Sequence, residues 1–572
     1  MRDSPETIHA RAGPDVRGSW LPIVAIVIVA ALHAWPFVHA NGWPRTHDHF
    51  APLQRIEAFR RAFLAGSWFP IWTPFAARHY GSPYPLLYHR LFATLGGFLA
   101  VLFGSTLAAA RVMTVGLLAC GGLGMRRLLR VSGATEVLAF AGATLFVIAP
   151  YTLSDWIIRG AVSELTAMML LPWLYADLAL LLQGERHWLR LSAGILVLFH
   201  AHSMICYFFL LSAILLLAIS LIPGVRERAW RGASQERLWM AAGGLVLLVG
   251  LVPHVIVASR LLPYFNVEAL RKPPWRVEDN YQPLWRYLYD PFHWQVWEQE
   301  TAPVEINRYV CAALVVLWMA RVIRPVKRAD QSPFALFLVT WAAFCLFLQT
   351  PWGHFVFALL PQASFLQFPW RLLSFLTIVA VFLLIQSLRD SWAAGHPHRP
   401  VAVAALILAV IPSIFDYGFV PWRRHVEIFS RDRIQARLDD LNGPNSFGEY
   451  LLKGSGGEES LPEGRPFIAA DGCAEGLQAS PAFGPTGMVV TADVSGPCHI
   501  SIRQFQTPLL AIDLQNASLE SRSPAQTIEV LLNSGPSAVR IHPRGFWEMV
   551  WWAVSTGAAT HREAPGDAVS SG

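Results

Sequence analysis

Apolar runs separated by short, arginine-bearing polar links organise most of this chain, and they predict about eleven membrane-spanning helices. The runs are Leu21 to Val38, Leu107 to Leu123, Val137 to Tyr151, Leu165 to Leu182, Leu191 to His200, Ile205 to Ile222, Trp239 to Val257, Tyr309 to Val322, Phe334 to Gln349, Leu372 to Leu388 and Val401 to Ile414. Leu191 to Ile222 is too long for one crossing, so a break is placed at "HAHS", His200 to Ser203. The first run follows Arg2, Arg11 and Arg17 and ends in a cleavage-like "VHA"; it is long for a signal peptide and is read as a retained anchor.

One further apolar stretch, Pro85 to Gly104, starts with prolines and carries His89 and Arg90. Positive residues stay in short cytoplasmic loops. The clusters are Arg126 to Arg130, Arg186 to Arg190, Arg226 to Arg237, Arg321 to Arg328 and Arg389 to Arg399. If Pro85 to Gly104 and Leu107 to Leu123 both crossed, the first of these clusters would fall outside. Pro85 to Gly104 is therefore expected to lie along the interface as an amphipathic helix. The outer face then receives the His47-Asp48 loop, "SDWIIRGAVSE", the "HAHS" corner, Arg260 to Asn307, "PQASFLQFPWR" and everything after Asp416. This divides the chain into a membrane domain, 1–415, with a first outer loop, 39–105, and an extracytoplasmic part, 416–572.

In that last part the pattern changes from helical runs to short β-type pieces with turn signals between them: "GMVVTADV", "HISIRQF", "LLAIDL", "TIEVLL" and "AVRIH". They predict a small β-sandwich. The closing "GFWEMVWWAV" is too short for a confident span and is read as interfacial or packed on the domain. Cys473 and Cys498 lie in this polar region and are expected to form a disulfide on the oxidising side. Cys120, Cys206, Cys311 and Cys345 lie in apolar runs, where a thiol behaves as a small hydrophobe.

Composition supports the membrane class: 54% of the 572 residues are hydrophobic and 15% charged, with a mean hydropathy of +0.39. The net charge of +6 sits in the loop clusters that orient the helices, so no nucleic-acid partner is implied. Walker, Rossmann, zinc and serine-hydrolase patterns are all missing, which argues against ATP-driven pumping and soluble-type hydrolysis.

Four constellations carry candidate chemistry. In "THDHF", Asp48 can serve as a general base, and the flanking His47 and His49 can tune it, bind phosphate or help hold a metal. Three consecutive residues cannot all face one way on a helix or strand, which disfavours a three-ligand site; a polar loop is the plainer reading. In "DWIIRGAVSE", Asp155, Arg159 and Glu164 stand at the mouth of a span, where an ionisable group is costly and an interfacial ion pair is the alternative. Arg371 in "LQFPWRLL" sits outside against the positive-inside tendency, as an anion ligand or as part of an aromatic belt with Phe368 and Trp370. His200 and His202 cannot share a helix face, but a helix break could aim both at a cavity; satisfied buried histidines are the plainer reading.

These segments together resemble the GT-C glycosyltransferase superfamily. The stretch "DHFAPLQRIEAFRRAFLAGSWFPIWTPFAARHYGSPYPLLYHRL" looks like its first outer loop, with "RGAVSELTAMMLLP" and "LQFPWRLL" similar to two later motifs. The likeness is greatest to the bacterial 6-pyruvoyl-tetrahydropterin-synthase-related and YfhO-like membrane proteins. Phe69-Pro70-Ile71-Trp72 lacks the arginine expected beside the tryptophan, and "FHAHS" replaces a Thr-His-Asn-like corner. The resemblance implies an α-helical polytopic membrane fold with interfacial helices and a C-terminal extracytoplasmic β-domain. It implies transfer of sugar from a polyprenyl-phosphate-type donor to a glycan, lipid or protein acceptor on the outer face of a bacterial inner membrane. Asp48, His49 and Glu164 are then catalytic candidates. His47, Tyr84, Asp155, Arg159, His200, His202, Gln367 and Arg371 are substrate-binding candidates. Members of the superfamily differ over a divalent metal. Two other readings stay open: a lipid-linked-glycan transporter or assembly partner that kept the fold, and a surface polysaccharide polymerase or ligase.

Overall fold

The structure, a computed structural model, describes residues 20–185, 187–222, 233–267, 270, 272–273, 275–290, 304–324, 333–360, 363–392, 396–422, 427–439, 451–453, 461, 468–471, 477–479, 484, 486–520 and 527–559. It is a polytopic α-helical membrane protein with a C-terminal β-region. Every apolar run of the sequence lies on a helix. Among the described residues seven helices are long and apolar enough to cross a membrane: Leu21–His39, Thr106–Val131, Val162–Leu182, Ser203–Ser220, Arg237–Tyr264, Pro369–Trp392 and Arg399–Trp422.

Two more spans qualify as bent pairs, Glu136–Val147 with Pro150–Arg159 at 42° and Pro333–Leu348 with Pro351–Leu359 at 97°. Proline supplies the break in each, since its ring disfavours helix in the residue before it. The other two expected spans are helices of 14 and 16 residues, Trp188–Ala201 and Arg308–Ile323. At about 1.5 Å per residue they fall short of a hydrocarbon core of about 30 Å. Length and composition thus support seven to nine full crossings among the described residues, fewer than the eleven expected. The break at "HAHS" is a single extended residue, His202, between two helices.

Small residues let the central helices approach. A Cβ on Gly121 would lie 2.1 Å from Met169 Sδ, and one on Gly124 2.5 Å from the Trp173 ring, so Thr106–Val131 and Val162–Leu182 pack almost backbone to side chain. The stretch at Pro85 to Gly104 forms a short turn, Tyr84–Leu87, and a 13-residue helix, Leu91–Phe103, too short to cross. It packs on the first-loop helix Ala51–Leu64, where Gly96 and Gly97 receive Ile56 and Phe59.

Strand β1 (Trp43–Pro44) pairs with β2 (Ile428–Phe429) and ties the loop after the first span to the region after the last span. The other strands are β3 (Ile468–Asp471), β4 (Leu477–Ala479), β5 (Met488–Val494), β6 (Cys498–Phe505), β7 (Leu510–Gln515), β8 (Ala517–Leu519), β9 (Thr527–Leu532) and β10 (Gly535–Pro543). They form two antiparallel four-stranded sheets, β4-β5-β10-β7 and β3-β6-β9-β8. Alternation sets the faces: Met488, Val490, Ala492 and Val494 are buried while Val489, Thr491 and Asp493 face out. Cys498 is disulfide-bonded. Cys473 lies outside the described residues. The four cysteines of the apolar runs are free thiols.

The closing segment is a helix, Phe546–Ala559, whose Met549 and Ala553 are buried against the helix Ala233–Leu261 while Trp547 and Trp551 stay exposed. The sandwich also grips the first loop. Buried Gln504 accepts from Trp72 Nε1 at 2.9 Å and donates to the carbonyls of Pro74 and His79 at 3.1 and 2.7 Å. The Phe505 N–H donates to Tyr80 C=O at 2.8 Å.

Candidate active site

Asp48 lies in a tight turn just after β1, and backbone hydrogen bonds place it. The N–H of His47 donates to Ile158 C=O at 2.8 Å, and the N–H of Asp48 to Arg159 C=O at 3.0 Å. The His49 N–H returns to Thr46 C=O with His49 at φ +47°, and the Ala51 N–H donates to Asp48 C=O as the first-loop helix begins. The partner segment, Ser154–Arg159, is a π-helical turn closed by Gly160 at φ +71°. Such turns loosen the regular ladder and free the backbone for outside partners.

Beneath Asp48 lies a buried ion network. Arg159 donates from Nη1 to Asp155 Oδ1 at 2.6 Å and to the Tyr151 hydroxyl at 3.0 Å. Its Nη2 donates to Glu164 Oε2 at 2.9 Å, and Tyr151 donates to Glu164 Oε1 at 2.6 Å. Arg371 Nε stands 3.2 Å from the same Glu164 Oε2 and pairs with it by charge. Asp155 and Glu164 are 0% and 1% exposed, so each carboxylate needs the arginines to offset its desolvation. Arg159 is therefore committed to two carboxylates, which limits what it can offer a ligand.

A cavity of about 770 Å³ opens over this network. Of the residues chosen from sequence, His47, Asp48, Arg159, Glu164, His202, Gln367 and Arg371 line it. The other four do not. Asp155 is covered by Arg159. His49 turns away, its ring 6.3 Å from Phe429. Tyr84 packs into the cluster of Phe59 and Phe63. His200 faces His254, their rings 5.3 Å apart.

The structure adds Arg55, Tyr88, His89, Trp275 and Asp279 to the cavity wall. Arg55 is buried, its guanidinium 4.2 Å from the centre of the Tyr88 ring. A signal for it existed: on the helix Ala51–Leu64 it stands in the apolar stripe of Pro52, Ile56, Phe59 and Phe63, where a charge needs a reason. His89 came into view only as a charge against a span.

Asp48 is half-buried; it lies deep in the fold yet opens on the cavity. Burial raises its pKa above the ordinary aspartate value, Arg55, Arg159 and Arg371 pull it down in part, and Glu164 raises it. The site therefore pairs a carboxylate of raised basicity with a wall of cationic donors. Among the described residues no group of three or more His, Cys, Asp or Glu could hold a metal ion.

No family model matches this chain, and no curated protein does. Among solved structures it is similar to the arabinofuranosyltransferase AftD from Mycobacteria, at 16% identity and TM-score 0.47, over 72% of this chain and 27% of that one. It is also similar to ArnT from Cupriavidus metallidurans, a crystal structure bound to undecaprenyl phosphate, at 16% identity and TM-score 0.39, over 75% and 78% of the two chains. The chain thus spans 27% of the length of the arabinofuranosyltransferase.

Proposed function

We propose that this protein is a membrane glycosyltransferase of GT-C architecture, related to the 6-pyruvoyl-tetrahydropterin-synthase-related and YfhO-like branch. It moves a sugar from a polyprenyl-phosphate-type lipid to an acceptor on the outer face of the membrane. The observation that carries this reading is the placement of Asp48. Its carboxylate faces the cavity with Arg55, Arg159 and Arg371 near enough to act on it by charge.

In the proposed step Asp48 takes the proton of an acceptor hydroxyl. The acceptor oxygen forms its bond to the anomeric carbon as the bond from that carbon to the donor's phosphate oxygen breaks. The electron pair leaves on the phosphate, and the configuration inverts. Arg371 and Arg55 stabilise the charge that develops there, where preorganised cations act most strongly. Glu164 holds Arg159 and Arg371 in place.

The test is Asp48→Asn, which keeps shape and removes the base. The variant should reach the membrane in normal amount and lose about 10²- to 10⁴-fold in transfer of sugar from a lipid-linked donor. Near-normal transfer would overturn the reading. Retained export of lipid-linked glycan by that variant, with loss in Arg371→Ala, would favour a transporter.

A further inference from the structure

Two histidines of the cavity, His89 and His202, come from distant parts of the chain and stack with ring centroids 4.0 Å apart and planes 26° from parallel. The start of the helix Ser203–Ser220 organises both. Its first turn leaves backbone N–H groups without helical partners. The N–H of Ser203 donates to His89 Nδ1 at 3.2 Å, and that of Ile205 to His202 Nδ1 at 3.3 Å.

An Nδ1 that accepts a hydrogen bond carries no proton, so in the neutral ring the proton is on Nε2. Neutrality follows from the surroundings. Burial first, then the neighbouring His202, Arg371 and Arg55, hold His89 well below the usual imidazole range, with Glu164 opposing them in part. Burial, then Arg371 and Arg159, do the same for His202. Neither Nε2 makes a hydrogen bond among the described residues, and neither is shut away from the cavity that both rings line.

We infer that His89 and His202 form a paired N–H clamp for a phosphate oxygen, a positioning device made of two neutral imidazoles locked in one tautomer. Because both Nδ1 lone pairs are spent on the helix N-terminus, the two rings present only N–H donors to the cavity, on a wall that also carries Arg371 and Arg55. A sugar hydroxyl, donor and acceptor at once, leaves half its capacity unused there. A phosphate oxygen only accepts, and so matches both imidazole N–H groups and the guanidiniums beside them. Arg55, Arg159 and Arg371 already bring three cations to the carboxylates of Asp48, Asp155 and Glu164. Neutral donors can bind the anion without adding another buried cation. The clamp rests on the transferase reading only in naming the phosphate as lipid-borne.

The test is equilibrium binding of a long-chain polyprenyl phosphate to the purified full chain in nanodiscs, alone and in competition with inorganic phosphate. His202→Asn keeps an acceptor for the Ile205 N–H, and so the helix start, but no longer reaches the cavity with an N–H; His89→Asn does likewise for Ser203. Each should weaken binding about tenfold or more with melting temperature unchanged, as expected for a hydrogen bond to a charged group. The corresponding Gln variants, whose amide N–H stands near the Nε2 position, should regain most of it. Displacement by inorganic phosphate would identify the phosphate alone as the ligand, and its failure a lipid-borne phosphate. Binding within about twofold of wild type in both Asn variants would overturn the clamp. Transfer by Asp48→Asn is scored separately, so the clamp and the transferase reading can fail independently.

Discussion

The N–H of Asp48 donates to the carbonyl of Arg159 at 3.0 Å, across more than a hundred residues of chain. The candidate base is thereby fastened to the arginine whose charge lowers its pKa. Any shift of the π-helical turn moves the carboxylate with it, which makes the turn's closing residue a sensitive point.

Gly160 is that residue. Its φ of +71° costs a non-glycine residue about 1–2 kcal/mol, and an added Cβ would lie 2.3 Å from Thr46 Oγ1 and 3.2 Å from Asp48 Cβ. Gly160→Ala should lower the melting temperature and also lose transfer at temperatures where the protein remains folded. A variant that melts early yet transfers normally would show that the turn supports only stability.

The raised pKa of Asp48 has a direct kinetic consequence. A general base works only when ionised, so transfer should fall as pH drops through a value above the ordinary aspartate range. Arg55 favours the ionised form; Arg55→Met removes that support and should move the acid limb of kcat/KM to higher pH. The measurement is the pH profile of both proteins with a lipid-linked donor. An unmoved limb would assign the titration to another group.

Gln504 joins the sandwich to the loop after the first span through three hydrogen bonds. Gln504→Leu would strand the Trp72 N–H and two carbonyls in a buried contact, at about 1–3 kcal/mol for each unsatisfied group. Faster hydrogen exchange over 72–82, with the helices unchanged, is the expected signature. Loss of transfer alongside it would make the β-domain a support for the loop that carries Asp48.

The arginine clusters predict the orientation. In a background without the free thiols, cysteines at Ser67 and at Ser518 of β8 should label from the outer side of intact cells. A cysteine at Glu185, beside the inner cluster, should be protected until the membrane is opened. Labelling of Glu185→Cys from outside would reverse the assignment.

Periodicity and charge in the chain alone determined the apolar helices, a break within His200 to Ser203 and the alternating strands of the tail. These depend on local patterns of burial, and Asp48, Glu164 and Arg371 stood out as candidates because a charge beside an apolar run is costly. Only the tertiary structure decided which of those charges meet. Asp155 lies behind Arg159 in a π-helical turn and His49 turns from the cavity at φ +47°, because both sit in irregular turns whose side-chain directions follow neither the helix nor the strand period. Arg55 and His89 entered the wall through packing of the first loop against helices far along the chain. The tautomers of His89 and His202 depend on the free N–H groups of one helix start, a contact that exists only once the loop and that helix have docked.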